Sequence, residues 1–249
     1  MEKINIWEEA FKVRSYHMDV KARATITSIA GYLQEVAGNH AHFMGFGYKQ
    51  MKESGLLWLL TRVKIAVHQY PMWGDEIKID TWVVNAEKFF SRRDFEIRDK
   101  AGKVIVSAIS GWMLVNAREK RPQLVETLSR NVDLLKDKMS LNEELVKIDN
   151  LQKVDSTAFY KVKYSDLDVV NHVNNIQYYN IVLDTIPGQF QMANHIKSFE
   201  INYMAESLFE DELEVASEIL IDDEKFLHEI RRKSNQKPLC RAISNWEKD

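Results

Sequence analysis

Ile26, Ile29, Leu33, Val36 and Ala37 recur three or four residues apart, which places them on one face of a helix. Further on, Val63, Ile65 and Val67 alternate with polar neighbours, the period of a half-buried strand. The same order returns in the second half: Val173, Ile176, Tyr179, Leu183 and Ile186 read as another helical face, and Phe199, Ile201 and Tyr203 as another alternating strand. Turn signals, DKAGK around Gly102 and KSNQKP around Asn235, join antiparallel strand candidates in each half. The pattern predicts a helix followed by an antiparallel sheet, twice over, an α+β layer arrangement.

Short words support the repetition. AISGW (Ala108 to Trp112) returns as AISNW (Ala242 to Trp246), EIR (Glu96 to Arg98) returns at Glu229 to Arg231, and GDEIKI (Gly74 to Ile79) lies opposite EDELEV (Glu210 to Val215). The polar stretch from Leu124 to Ser156 holds the linker, so the units are expected at residues 1–148 and 149–249. GFGYKQMKESG, from Gly45, has neither phosphate-loop nor dinucleotide spacing and reads as a loop.

Composition narrows the class. The 249 residues, 45% hydrophobic and 29% charged with nine Gly and four Pro, suit one large or two small globular domains. The first residues lack the apolar stretch of a secretory signal, and LLWLL (Leu56 to Leu60) is far shorter than the roughly 20 residues of a membrane span, so a cytoplasmic protein is expected. A net charge of −3 argues against nucleic acid as partner. The single cysteine, Cys240, excludes an intrachain disulfide or a thiolate zinc cluster, and it falls in a strand-like segment. His40 and His42, two apart, point to different helix faces, so no metal is expected there. Trp58, Trp73, Trp82 and Trp112 are expected to pack the core. The basic clusters Arg92-Arg93, Arg118-Lys120-Arg121 and Arg231-Arg232-Lys233 read as solvated strand ends and turns.

Candidate chemistry concentrates in SDLDVVNHVNN, Ser165 to Asn175. On spacing alone this crowd of Asp and Asn is a capped helix start, since both residues favour caps and turns. Glu206 on its own would be an ordinary surface carboxylate. In the first half the helix is preceded by VKARATITSI, which carries neither aspartate nor histidine at the positions expected to correspond, and Tyr70 stands opposite Glu206. A purely structural role would be expected in both copies.

FKVRSY (Phe11 to Tyr16), LQEVAGNHA (Leu33 to Ala41), WLLTR (Trp58 to Arg62), YPMWGDEIKIDTWV (Tyr70 to Val83), SRRDFEIRD (Ser91 to Asp99), SDLDVVNHVNN and INYMAES (Ile201 to Ser207) together resemble the plant and bacterial acyl-ACP thioesterases. The resemblance covers almost the whole chain. It implies a tandem, double hotdog fold, each unit a long helix against an antiparallel sheet. It also implies hydrolysis of fatty acyl-ACP to free fatty acid and holo-ACP without a cofactor or metal. The partner implied is an acyl carrier protein bearing a phosphopantetheine-linked acyl chain, and a homodimer is left open.

The family's loop pattern matches at Asp168 and His172. Its asparagine position holds Val170, with Asn171 one place later, and its glutamate matches Glu206, while Ser207 stands where a cysteine is frequent. A serine there argues against a papain-like thiolate and leaves Glu206 as the candidate for activating water. Thioester hydrolysis needs an activated water, donors for the carbonyl oxygen's growing charge, and room for the acyl chain. A carboxylate shielded from water makes the better base. Asp168, Asn171, His172 and Glu206 are therefore the catalytic candidates. Asn174 and Asn175, at the helix start with its free N–H groups, are candidates for binding substrate. The first unit, free of catalytic groups, is expected to supply the acyl pocket through Met51, Leu57 and Trp58. The alternatives are an acyl-CoA thioesterase and a non-catalytic acyl-thioester sensor on the same scaffold. One basic cluster is a candidate for guiding the acidic carrier.

Overall fold

In a computed structural model describing residues 5–125, 133–221 and 224–249, the chain divides into two compact units, Met1–Leu145 and Val146–Asp249. In the first, β1 (Trp7–Lys12), β2 (Leu56–Val67), β3 (Glu76–Glu87), β4 (Phe90–Arg98) and β5 (Val104–Asn116) form an antiparallel sheet in the order β1-β3-β4-β5-β2. In the second, β6 (Ser156–Lys161), β7 (Asn194–Tyr203), β8 (Glu212–Ile221), β9 (Lys225–Arg232) and β10 (Lys237–Lys248) are ordered β6-β8-β9-β10-β7. Strand for strand the two orders are the same. The repeated words fall on equivalent strands, EIR on β4 and β9, AISGW on β5 and AISNW on β10.

The first helix, α1 (Ile26–Phe43), starts where Thr25 Oγ1 accepts the Ser28 N–H at 3.1 Å. Its five predicted apolar residues are all buried, and Ile26, Ile29, Leu33 and Val36 each contribute roughly 1.5–3 kcal/mol by leaving water. The segment expected as a loop contains a short helix, α2 (Tyr48–Glu53). Between Gly47 at its cap and Gly55 at φ 70°, YKQMKE is rich in helix formers and buries Met51.

The second helical face is broken up. Only α3 (Gln177–Leu183) is helical, and α4 (Gly188–Ala193) follows Pro187. Proline disfavours helical geometry in the residue before it, here Ile186, which is buried but outside the helix. Val173 is not helical either: it bridges Leu167 within the preceding loop.

Residues 126–132 of the expected linker lie outside the described residues. From residue 133 the chain is pinned to the first unit's sheet. Trp82 Nε1 donates to Lys138 O at 2.8 Å, and Arg92 donates to Leu141 O and Glu143 O at 2.8 Å each. Arg92 also grips Asp94 with two bonds, at 2.8 and 3.1 Å. Arg93 bonds His40 Nδ1 at 2.9 Å and Thr81 Oγ1 at 3.1 Å, and burial lowers its pKa to about 10, so it stays charged at neutral pH. Arg92 and Arg93 are thus buried anchors rather than solvated strand ends. Of the tryptophans expected inside, Trp82 is fully buried and Trp73 is 62% exposed, at the tip of a turn; Cys240 is buried on β10.

A polar chain crosses the second unit's core. Thr185 Oγ1 donates to Val182 O at 2.7 Å, so its contact with Ser217 Oγ at 3.0 Å must be donated by Ser217. Ser217 therefore accepts at 2.7 Å from His228 Nδ1–H, and His228 Nε2 accepts from Ser244 at 3.0 Å. His228 is fully buried, and desolvation lowers its pKa to about 3, which keeps it neutral.

Candidate active site

The loop expected to carry the chemistry is built by its own backbone. Asp168 N–H donates to His172 O at 2.8 Å, and Asn171 N–H donates to Asp168 O at 3.1 Å. The Asp168 carboxylate accepts from the N–H groups of Val170 at 2.9 Å and His172 at 3.2 Å through one oxygen, Oδ1. Asn171 sits at the exposed tip with φ 61°, a left-handed conformation that asparagine tolerates better than most side chains. The loop is docked by Val173 N–H donating to Ser207 O at 3.0 Å, which joins it to the turn holding Glu206. Across this junction His172 Nδ1 lies 3.5 Å from Glu206 Oε2.

The first unit contains the same loop. Asp19 N–H donates to Arg23 O at 2.8 Å, Ala22 N–H donates to Asp19 O at 3.1 Å, and Ala22 has φ 60°. Asp19 Oδ1 accepts from the N–H groups of Lys21 at 2.8 Å and Arg23 at 3.0 Å. Ala24 N–H donates to Pro71 O at 2.8 Å, the counterpart of the bond from Val173 to Ser207. The expectation that the first copy lacks an equivalent aspartate is therefore overturned: Asp19 holds the place and the bonds of Asp168, and Ala22 those of Asn171. The pair that differs is the other one. Where the second unit has His172 and Glu206, the first has Arg23, whose guanidinium carbon lies 5.2 Å from the centre of the Tyr70 ring.

Both chemical groups are open to water: 29% of the His172 side chain and 46% of that of Glu206 are accessible, so the carboxylate is less shielded than expected. Ser207 is fully buried, with Oγ 2.8 Å from the Tyr178 hydroxyl. The helix start offers fewer donors than expected. The N–H groups of Val173, Asn174, Ile176 and Gln177 are engaged with Ser207 O, Asp166 O, Asn174 Oδ1 and Asn174 O. Among the described residues that of Asn175 has no partner, and its carbonyl accepts from Tyr203 Oη at 3.0 Å.

In the first unit, Met51 and Trp58 meet in one apolar cluster with Leu114 and Val125. Leu57 does not join it, because neighbours on a strand project to opposite faces. Two residues close to Glu206 carried no sequence signal of their own. Tyr178 lies beside the predicted helical face, and Arg232 falls within the basic cluster Arg231-Arg232-Lys233.

Comparison with known proteins agrees with this architecture. The model of the acyl-ACP thioesterase N-terminal domain matches residues 5–129, and that of the C-terminal domain matches residues 150–248. The chain is 29% identical to an oleoyl-acyl carrier protein thioesterase of Arabidopsis thaliana, over 97% of this chain and 77% of the relative. It is 31% identical to a dodecanoyl-[acyl-carrier-protein] hydrolase of Cinnamomum camphora, over 84% of this chain and 58% of the relative. The crystal structure of an acyl-ACP thioesterase from Bacteroides thetaiotaomicron superimposes with a TM-score of 0.87 at 28% identity, covering 98% of each chain. The 12:0-ACP thioesterase of Umbellularia californica shares the fold, with a TM-score of 0.88 at 24% identity and full coverage of both chains. Among the described residues no helix is long and apolar enough to cross a membrane. The double hotdog that the resemblance implies is the fold of these relatives, and the chain belongs to the acyl-ACP thioesterase family.

Proposed function

We propose that this thioester hydrolase cleaves fatty acyl-ACP with a water activated by Glu206, and that His172 orients the Glu206 carboxylate. The observation that carries the assignment is the contact between His172 and Glu206, placed on a loop scaffold whose other copy holds Arg23 and Tyr70 instead. At 3.5 Å the contact is longer than a hydrogen bond, as catalytic contacts commonly are before substrate binds.

In this reading Glu206 takes a proton as the water oxygen bonds to the thioester carbon. The Asn175 N–H is the candidate donor to the oxygen on which charge develops. When the carbon–sulfur bond breaks, the sulfur receives the proton from Glu206, leaving a fatty acid and the carrier's free thiol. Asp168 and Asn171 serve by holding the loop, since their counterparts Asp19 and Ala22 do so where no hydrolytic pair exists. Asn174 belongs to the loop as well, its side chain accepting the Ile176 N–H. The cluster of Met51 and Trp58 is the candidate for acyl-chain contact. Thiol release from acyl-ACP and acyl-CoA of several chain lengths tests the reading: turnover with acyl-ACP is expected, and no release from either carrier at any length would overturn it.

A further inference from the structure

The peptide between Glu206 and Ser207 is held at its carbonyl and through the side chain that follows it. Its carbonyl, Glu206 O, accepts from Arg232 Nη2 at 2.8 Å. The side chain that follows it is held as well, with Ser207 Oγ 2.8 Å from the Tyr178 hydroxyl. Both clamps are themselves fixed. Tyr178 is buried at the start of α3 with its ring edge-on to Tyr203, 5.6 Å between centres, and Arg232 Nε is bound to Asp211 Oδ2 at 2.9 Å.

The first unit shows that the fold does not need these clamps. Its turn has the same backbone bonds, Val13 N–H to Asp75 O and Asp75 N–H to Met72 O, where the second has Val162 to Asp211 and Asp211 to Leu208. Yet Ile29 stands in the place of Tyr178, Pro71 in that of Ser207, and Asp99 in that of Arg232, so neither clamp can form. Pro71 has no hydroxyl to offer. The two-sided grip is confined to the unit carrying the pair of His172 and Glu206.

We infer that Tyr178 and Arg232 are positioning residues that fix the direction in which Glu206 leaves the backbone, and with it the distance from Glu206 to His172. The inference rests on Glu206 being the base. A displacement of the base of about 1 Å can cost about 10²-fold in rate. Ser207, with its side chain spent on Tyr178, serves as part of the clamp and not as a nucleophile.

The test is steady-state kinetics on Tyr178→Phe, Arg232→Met and Glu206→Gln with acyl-ACP, alone and in combination, with thermal melting to confirm folding. Tyr178→Phe and Arg232→Met are each expected to lower kcat about tenfold with KM within about twofold, because they act on the reacting group and not on substrate binding. In the Glu206→Gln background neither should cause further loss, whereas general loosening would lower the residual rate again. Wild-type kcat in folded Tyr178→Phe and Arg232→Met, or losses confined to KM, would overturn the inference while a dead Glu206→Gln left the base assignment standing. An active Glu206→Gln enzyme would remove both. If Tyr178→Phe does not fold, Arg232→Met decides, since its side chain lies nearer the surface.

Discussion

His172 Nδ1 stands 3.5 Å from Glu206 Oε2 because the two segments that carry them are tied by one backbone bond, from Val173 N–H to Ser207 O. The histidine comes from a loop and the glutamate from a turn far along the chain, and each is a single residue away from that tie.

Since both act on one water, His172→Ala is expected to lower kcat by about 10²-fold, and the double variant with Glu206→Gln should be no slower than Glu206→Gln alone. Multiplicative losses in the double variant would show that the two act on separate steps.

Asp19 and Asp168 provide an internal control. Each receives two backbone N–H groups on one oxygen, so Asp19→Ala and Asp168→Ala are both expected to destabilise by about 1–3 kcal/mol, read as lowered melting midpoints. Only Asp168→Ala should slow hydrolysis. Asp168→Asn keeps an acceptor oxygen and is expected to retain most activity. An Asp168→Asn variant as inactive as Glu206→Gln, with an unchanged melting midpoint, would instead assign the carboxylate to the chemistry.

His228 links stability to pH. Its folded pKa, about 3, lies below the ordinary 6.5, so the unfolded chain binds the proton first and stability, complete above pH 6.5, falls as pH drops toward 3. Denaturant titrations should show a loss approaching about 1.4 kcal/mol per pH unit from this group in that window, and the imidazole should remain neutral with a proton on Nδ1 at pH 5 by NMR. A protonated His228 in the folded protein at pH 5 contradicts the burial argument.

Much of this architecture is legible in the sequence, and the misses have physical causes. The repeat of EIR and of AISGW with AISNW locates β4, β5, β9 and β10 because strand pairing keeps a regular spacing. The loops escape the same comparison. The 18-residue α1 and the additional α2 lengthen the first unit between loop and turn, so the spacing that aligns the strands misplaces Asp19 relative to Asp168. Aligning VRSYHMDV with VKYSDLDV would have exposed the shared scaffold. The burial of Arg92 and Arg93 is invisible locally because their partners, Asp94 apart, come from distant segments: Leu141, Glu143, His40 and Thr81.

Acyl-chain preference provides a separate test of the first unit. Met51→Trp and Trp58→Ala change the volume of the cluster around Leu114 and are expected to shift the product chain-length profile while keeping activity. Leu57, on the opposite face of β2, should have the weaker effect. An unchanged profile in both cluster variants would remove the acyl pocket from this site.

The most direct measurement is single-turnover hydrolysis of acyl-ACP by Glu206→Gln beside Ser207→Ala. A Gln keeps the shape and loses the base, so the chemical step should slow by about 10²–10⁴-fold while acyl-ACP binding stays near wild type. Ser207→Ala, which trims only the clamp, should lose far less, within about tenfold. No acyl-enzyme should accumulate in either. A Glu206→Gln enzyme of wild-type speed, or a folded but dead Ser207→Ala enzyme, would contradict water activation by Glu206 and point to covalent catalysis through the serine.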